Sequence, residues 1–486
     1  MGLKQVERRT TGGVFHKIRD FLTGQELVHT STINILSELT ASDRSEIQAS
    51  LREDPQQVFD TLCAMSSIFA FLLLPPGTGK THTIAVLART NSLQGRQTAV
   101  TAASNTAVNV LTAKIITEFG KHQIDPRRIT RWISSDVATS RIWEMLRHDH
   151  SRPGAKDSTG PIEASSQAQS ADNPIMASMR SDLVEYLKDK RIPQELIRFT
   201  LEAKFFDWIK HREDDLLSTL AEEKLNNAFA GTEDGEARKG LLAQKIKELP
   251  ASIVNASDVI AHTLITSETV GRLEDAKIHM AAVDEAAFCL EPELLCAIAA
   301  YPNSAFLICG DPNQFPPIVT SSSNLIEGSD KQRSKAKLVD YEETDPSEGT
   351  TETGLLGRTQ ENKNELADQL RHSFMRRMVM DLDHPCVTLH KQARSHPDIR
   401  LLWDHIYSGS ITDADIDFDN QPSAQTFRKW AQDRYGVSKN YIVIDVDGTE
   451  ATRAPASTSR YNDRFLAMGL EIIQSLVKYH LSLIHI

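Results

Sequence analysis

The chain has 486 residues, a formal net charge of −12, 40% hydrophobic residues and 25% charged residues. These values are ordinary for a globular protein and exclude a disordered or fibrous one. The acidic balance argues against a protein that coats polyanions generally, although it leaves room for one local basic groove. Five scattered cysteines without a C-x-x-C pair predict reduced thiols rather than a disulfide framework or a zinc site.

The sequence also bears on the compartment. The first residues lack the apolar segment of a secretory leader, and no run approaches the roughly 20 apolar residues of a membrane span. We therefore expect a cytoplasmic or nuclear protein with no membrane partner.

After a mixed, polar accessory segment at residues 1–66, an apolar run at 68–73 leads into a glycine-rich loop and a helix-forming segment at 81–91. Glycines let backbone N–H groups turn toward a polyphosphate, Lys80 can reach its β and γ phosphates, and the Thr81 hydroxyl can ligate Mg²⁺. The helix that follows adds its positive N-terminal end. The residues predicted to hold a nucleotide are Pro76, Gly77, Thr78, Gly79, Lys80 and Thr81.

Further short apolar runs predict buried strands, at residues 98–102, 259–260, 278–283 and 305–309. Their alternation with helical segments predicts an α/β fold with a parallel sheet. These runs and the loop define a first lobe over residues 67–320. Runs at 387–389 and 441–445 predict strands of a second α/β unit within 366–480.

Three segments interrupt this pattern. Residues 147–178, rich in Ser, Ala, Asp, Gly and Pro, predict a flexible linker, and 179–250 predict a helical insertion. The Leu and Phe residues of that insertion recur at helical intervals, which favours a core stripe over a base-stacking surface. Residues 321–365 are polar and predict a disordered insertion.

Two strand ends carry candidate catalytic groups. Asp284 and Glu285 follow the apolar run at 278–283. Beside a phosphate loop, Asp284 would hold Mg²⁺ through water, and Glu285 would orient and deprotonate an attacking water. Gln314, in the segment GDPNQFPP after the next run, could contact the γ-phosphate or that water.

In this order, PPGTGKT, VDEAA and GDPNQFPP resemble superfamily-1 helicases, in particular the group that contains the nonsense-mediated-decay helicase. Residues 101–111, 258–263, 389–397 and 459–465 extend the resemblance. It implies two RecA-like lobes with ATP and Mg²⁺ between them and a cation, Arg394, supplied to the γ-phosphate by the second lobe. It also implies that Ser104, Asn105 and Thr263 contact the backbone of single-stranded RNA or DNA.

The chain departs from the group's pattern at three positions. Leu74 replaces a glycine, Phe288 a glutamine, and Ala393 the tyrosine that would stack on adenine. Loss of that stack is expected to weaken nucleotide binding by about tenfold or more. The group's last two second-lobe motifs do not occur, and residues 481–486 match the translation of a sequencing-library adapter. We therefore expect the natural protein to continue beyond His480, and the present fragment to hydrolyse ATP slowly.

The leading prediction is thus an incomplete ATP-dependent helicase or translocase. The alternative is a nucleotide-dependent nucleic-acid-binding or scaffold protein of helicase ancestry that no longer unwinds, which the three departures favour. An unrelated loop ATPase of the transport or remodelling type is disfavoured by GDPNQFPP and by LHKQARSHP at 389–397.

Overall fold

The computed structural model describes residues 40–51, 69–133, 174–210, 248–273, 277–319, 367–446, 452–453 and 460–479. Four predictions lie wholly or mostly outside these ranges. They concern the accessory segment at 1–66, the linker at 147–178, the insertion at 321–365 and the end at 481–486.

A seven-stranded sheet organises the fold. Its strands are β1 (Phe69–Leu73), β2 (Gln97–Ala102), β3 (Ile129–Arg131), β4 (Val259–Thr263), β5 (Ile278–Val283), β6 (Ala305–Gly310) and β7 (Cys386–Thr388). Their order across the sheet is β3-β4-β2-β5-β6-β1-β7. The pairs β1–β6, β5–β6, β2–β5, β2–β4 and β3–β4 are parallel.

The sheet confirms the predicted α/β fold of the RecA-like, P-loop type. Residues of β1, β2, β4, β5 and β6 are almost entirely buried, as expected of parallel strands covered on both faces. All five apolar runs predicted for the first lobe are strands of this sheet. The carboxyl ends of β1, β5 and β6 therefore open on one edge, which brings the three motif segments together.

Helices connect and cover these strands. The longer ones are α1 (Ala41–Ser50), α2 (Lys80–Leu93), α3 (Asn105–Lys121), α4 (Pro174–Asp189), α5 (Leu201–Lys210) and α7 (Glu291–Ala300). The shorter ones are α6 (Ser267–Gly271), α8 (Ala367–Leu370) and α9 (Phe374–Arg376), with 3₁₀ turns at Pro126–Arg128, Gln194–Phe199 and Ala286–Phe288 and a π turn at Arg377–Asp381. Because α4 begins at Pro174, the linker prediction is wrong for residues 174–178. Among the described helices, none has the length and apolarity to cross a bilayer.

The predicted helical insertion has its own small core. Its buried side chains include Leu183, Leu187, Leu196, Phe199 and Phe205. Helical residues 248–255 return the chain to β4. For these positions the core interpretation of the Leu and Phe stripe is confirmed.

Two buried ionisable side chains, Arg131 of β3 and Glu202 of α5, interact electrostatically where this insertion meets the sheet. The Arg131 guanidinium donates to the side-chain oxygens of Asn109 (3.0 Å) and Asn105 (2.7 Å). Glu202 of α5 is buried nearby, and one of its carboxylate oxygens has no hydrogen-bond partner among the described residues. Burial raises the pKa of Glu202 to about 7, and the positive charge of Arg131 opposes this only in part.

Replacing Glu202 by glutamine is expected to stabilise the protein increasingly as the pH rises. The folded pKa of Glu202 lies near 7 and its ordinary value is 4.5, so the folded wild type binds more protons between these values. The wild type therefore loses stability as the pH rises through this window, whereas Glu202→Gln does not. Between pH 5 and pH 8, the free energy of unfolding of Glu202→Gln rises relative to that of the wild type by about 2–3 kcal/mol. Urea denaturation of both proteins at pH 5 and pH 8 measures it, and a difference that is independent of pH would contradict the assignment.

The chain divides into two compact units, Met1–Leu73 with Lys80–Val387, and Leu74–Gly79 with Thr388–Ile486. The elements of the second unit are β8 (Lys391–Gln392), α10 (Pro397–Arg400), a 3₁₀ turn at Asp404–Tyr407, β9 (Thr412–Asp413), α11 (Pro422–Tyr435), β10 (Thr452–Arg453), β11 (Arg460–Tyr461) and α12 (Asp463–Lys478). Strands β8 and β9 pair in parallel, and β10 and β11 antiparallel. Trp430, Ala431 and Leu476 form a core cluster between α11 and α12.

Of the two strands predicted for the second unit, one lies in the other sheet and one does not form. The run at 387–389 overlaps β7, which belongs to the seven-stranded sheet instead. Residues 441–445 form no strand, and Val443 is 82% exposed. An apolar, β-branched run becomes a strand only where a neighbouring strand pairs with it, so local composition was not sufficient here.

Candidate nucleotide-binding and catalytic site

The glycine-rich loop connects β1 to α2. Gly77 has φ +80° and Gly79 has φ +98°, a left-handed backbone that favours glycine. The Thr78 hydroxyl donates to the carbonyl oxygen of Pro75 at 2.9 Å and closes the turn. Helix α2 then begins at Lys80. This is the backbone shape that lets successive N–H groups face a polyphosphate at a helix N-terminus.

Leu74 does not disturb this loop, because its side chain is fully buried. The residue that replaces the consensus glycine therefore contributes to packing. Leu74→Ala is expected to lower the free energy of unfolding by about 2–5 kcal/mol, the usual cost of truncating a buried leucine. We expect the affinity for nucleotide to change by less than about twofold. In binding free energy this is well below 1.4 kcal/mol, which would correspond to roughly tenfold. Chemical denaturation and nucleotide titration measure the two effects, and tighter binding at unchanged stability would contradict this role.

Lys80, Asp284 and Glu285 meet where β5 ends. The Lys80 Nζ lies 3.0 Å from a Glu285 carboxylate oxygen, and the two side chains are 12% and 45% exposed. Asp284 is buried and accepts a hydrogen bond from the Thr81 hydroxyl. Burial raises the pKa of Asp284 to about 6, while the positive charge of Lys80 lowers it. The site therefore holds one buried and one accessible carboxylate around a single ammonium group.

Glu285 has an unusual backbone. Its φ is +53°, a left-handed conformation that costs a non-glycine residue about 1 kcal/mol or more. Its backbone N–H donates to the Asp284 carboxylate at 2.9 Å. The turn separates the two carboxylates, so that Asp284 lies buried and Glu285 is left half exposed.

These residues fit Mg²⁺ and a nucleotide. Mg²⁺ prefers oxygen ligands and commonly takes one or two protein groups, with water and substrate phosphates completing the octahedron. The Thr81 hydroxyl and the buried Asp284 carboxylate supply such oxygens, and the two groups are already hydrogen-bonded to each other. Among the described residues, no group of three or more His, Cys, Asp or Glu side chains forms a metal cage.

Gln314 lies in the loop after β6. Its side-chain amide donates to the Asp311 carboxylate at 2.9 Å, which holds it in place. With Glu285 and Ser104 it lines one cavity of about 230 Å³. The structure thus brings a predicted base, a predicted phosphate sensor and a predicted strand contact to the same space.

The three predicted strand contacts differ in their surroundings. Ser104 is exposed at the N-terminus of α3, where its hydroxyl accepts from the Ala107 N–H at 3.2 Å. The side-chain oxygen of Asn105 is engaged by Arg131 at 2.7 Å. The Thr263 hydroxyl shares a hydrogen bond with Thr266 at 2.8 Å. Of the three, Ser104 is the one that lines the 230 Å³ cavity.

Arg394 belongs to the second unit and is exposed. The loop residue Gly77 is assigned to the same unit, and its carbonyl oxygen accepts from the Ala393 N–H at 3.0 Å. A Cβ atom at Gly77 would lie 2.9 Å from the Arg394 Cβ, so this close approach also requires glycine. Arg394 therefore lies directly beside the phosphate loop.

Sequence reasoning assigned no role to Gln392, which holds this segment. Gln392 is fully buried, and its side-chain oxygen accepts from the N–H groups of Arg394 (2.9 Å) and Ser395 (2.8 Å). Its amide donates to the Ser395 carbonyl (2.7 Å) and to Asp413 (2.6 Å). Gln392 is a positioning residue for Arg394, and its place in a polar, basic stretch of the sequence did not reveal this burial.

A glycine loop that precedes a helix, beside an Asp–Glu pair at the end of a parallel strand, defines a P-loop NTPase. The chain belongs to the AAA_11 family, described as an AAA domain, whose model matches residues 38–322. The matched region covers more than half of the chain and contains the phosphate loop, the Asp284–Glu285 pair and Gln314. It indicates an AAA-like NTPase of the helicase-like type. The curated proteins compared with this chain include no significant match.

Proposed function

We propose that the chain is part of an ATP-dependent nucleic-acid helicase or translocase of superfamily 1, in the group that contains the nonsense-mediated-decay helicase. ATP hydrolysis would be coupled to movement along single-stranded RNA or DNA, in the cytoplasm or the nucleus. The observation that supports this best is the cavity shared by Ser104, Glu285 and Gln314. Strand binding there would touch the groups proposed to carry hydrolysis.

Each residue of the first unit has a proposed role. Lys80 and the loop N–H groups would hold the phosphates, and Thr81 with Asp284 would hold Mg²⁺, which when bound offsets phosphate charge. Glu285 would accept the proton of the attacking water, since its carboxylate is half exposed and within reach of solvent. Gln314 would contact the γ-phosphate, so that the position of the loop that faces the strand would depend on whether this phosphate is present.

Arg394 is proposed to supply a positive charge to the γ-phosphate. Its position beside Gly77 and the rigid hold of Gln392 on its backbone support this role. A fixed guanidinium near developing phosphate charge is a common device of NTPases and contributes on the order of 10³ or more in rate.

The scaffold alternative is supported by Ala393. Its backbone N–H donates to the Gly77 carbonyl oxygen, and its methyl side chain has no ring that could stack on adenine. Such a protein would bind nucleotide and strand without coupling them.

ATP hydrolysis by the purified chain, with and without oligouridylate or oligothymidylate, separates the two functions. A saturable rise in rate with either single strand, and none with a blunt duplex, is expected of a motor. Nucleotide and strand binding with a rate that ignores the strand would support the scaffold and contradict the helicase proposal.

A further inference from the structure

Residues of the loop that follows β6 line two cavities. The first is the cavity of about 230 Å³ already described, here called the aromatic cavity. The second, of about 250 Å³, is here called the basic cavity. Ala287 and Gln314 line both cavities, so the two cavities are neighbours.

The aromatic cavity suits a nucleobase. It is lined by Phe288 and by Phe315, whose side chain is 83% exposed. A large ring held in solvent beside a cavity is a stacking platform, because every base has a π face. The carboxylates of Glu285 and Asp311 also line this cavity. The Asp311 carboxylate is buried and accepts hydrogen bonds from the Asn313 N–H and the Gln314 side-chain amide, so Phe288 and Phe315 are the groups that would contact a base.

The basic cavity suits a phosphate. It is lined by Arg371, His372 and Arg376, all of which are exposed. An acidic group, Asp381, lies 3.8 Å from the His372 ring. In a chain of net charge −12, two arginines and a histidine around one cavity are a local basic site. Basic side chains at such sites contact the nucleic-acid backbone.

Packing holds the basic residues beside the loop. A Cβ atom on Gly310 would lie 2.8 Å from the Met375 sulfur, so the 371–376 segment lies directly on the end of β6. The ring of Phe374 lies 6.2 Å from that of Phe69. The Arg377 guanidinium donates to both carboxylate oxygens of Glu291, at 3.1 and 2.6 Å. The positions of Arg371 and Arg376 are therefore a built feature of the fold.

We propose that a single nucleic-acid strand crosses this loop, with one base stacked on Phe315 in the aromatic cavity and neighbouring backbone phosphates on Arg371 and Arg376 in the basic cavity. This inference rests on the proposed function and names the surface of the first unit that would take the strand. Because Gln314 lines both cavities, an occupied strand site would limit its movement. The site thereby offers a direct route from strand binding to the hydrolytic groups.

The proposed stacking of a base on Phe315 is tested by substituting this residue. Fluorescence anisotropy with labelled oligouridylate and oligothymidylate is expected to show about tenfold weaker binding for Phe315→Ala, the scale of one base–aromatic stack. Phe315→Trp keeps a ring and should bind as tightly as the wild type. With an abasic oligonucleotide of the same length, wild type and Phe315→Ala should bind equally.

The proposed phosphate contacts of Arg371 and Arg376 are tested by the salt dependence of oligonucleotide affinity. Removing a side chain that binds one phosphate should reduce the slope of log affinity against log salt by about 0.7 for a single strand. Arg371→Gln and Arg376→Gln should each show this reduction, and Phe315→Ala should keep the wild-type slope. Arg272→Gln is the matched control, since Arg272 is exposed, lies outside both cavities and pairs with Glu268. Thermal unfolding should be unchanged for all of these surface variants.

The outcomes separate this inference from the proposed function. If the wild type shows strand-stimulated hydrolysis but the Phe315 and arginine variants bind and respond as it does, the inference is wrong and the proposed function stands. If the wild type binds neither oligonucleotide, both are wrong. Reduced affinity of Phe315→Ala for the abasic strand would overturn the stacking role alone.

Discussion

Lys80→Ala is expected to reduce ATP hydrolysis at least about a hundredfold, the scale on which removal of one preorganised charge-stabilising group acts. The Lys80 side chain is mostly buried and lies 3.0 Å from Glu285, beside the buried Asp284. Its removal takes away the ammonium group that faces two carboxylates. Phosphates entering the loop would then meet negative charge without compensation, so we expect nucleotide binding to weaken as well.

Steady-state hydrolysis and titration with a fluorescent ATP analogue measure both effects of Lys80→Ala. Lys80→Arg tests geometry, because it keeps the charge but not the compact ammonium group. The matched control is Lys277→Ala, since Lys277 is exposed just before β5. Full hydrolysis by Lys80→Ala would show that the glycine loop is not the nucleotide site.

The first lobe was predictable because its strands are short, continuous apolar runs. Parallel strands buried on both faces need no alternation, so composition alone located five of the six strands of this lobe. The exception within the lobe is β3, whose sequence Ile-Thr-Arg carries a charge at a buried position. That arginine is tolerated because Asn105 and Asn109 accept its hydrogen bonds, and these partners lie more than twenty residues earlier in the chain.

Asn105 shows how a motif resemblance and a fold can give one residue two roles. The resemblance predicts a contact with the strand backbone, and the structure commits the side-chain oxygen to Arg131 at 2.7 Å. The amide nitrogen of the same side chain could still donate to a phosphate oxygen. The hydrogen bond to Arg131 would then fix the orientation of that amide, and the proposed contact would depend on a buried charge in β3.

Long-range contacts explain what sequence reasoning missed. The roles of Gln392 and Leu74 depend on burial, and burial was not visible from their neighbours in the chain. Phe288 departs from the glutamine that the resemblance to superfamily-1 helicases predicts. In the fold it lines the aromatic cavity with Phe315, so the substitution adds a ring to the surface proposed for the strand.

Glu285→Gln is expected to separate nucleotide binding from hydrolysis. In the structure the Glu285 carboxylate is the ion-pair partner of Lys80, at 3.0 Å. A phosphate that enters the loop must therefore replace one carboxylate oxygen on Lys80. Glutamine is neutral and competes less, so we expect ATP affinity to rise by up to about fivefold, the scale of an exposed ion pair. The same change removes the proposed base and should slow hydrolysis by about 10²- to 10⁴-fold.

An increase in ATP affinity together with a decrease in hydrolysis rate distinguishes this role of Glu285 from general damage to the site. Misfolding or a distorted loop would lower both the ATP affinity and the hydrolysis rate. Loss of a catalytic base that also occupies Lys80 raises the ATP affinity and lowers the hydrolysis rate. Equilibrium nucleotide titration and single-turnover hydrolysis measure the pair, with Glu293→Gln on α7 as the matched control. Should Glu285→Gln bind ATP more weakly than the wild type, the ion pair would be a support of the loop rather than a competitor for it. Should it hydrolyse ATP at the wild-type rate, Glu285 would not be the base.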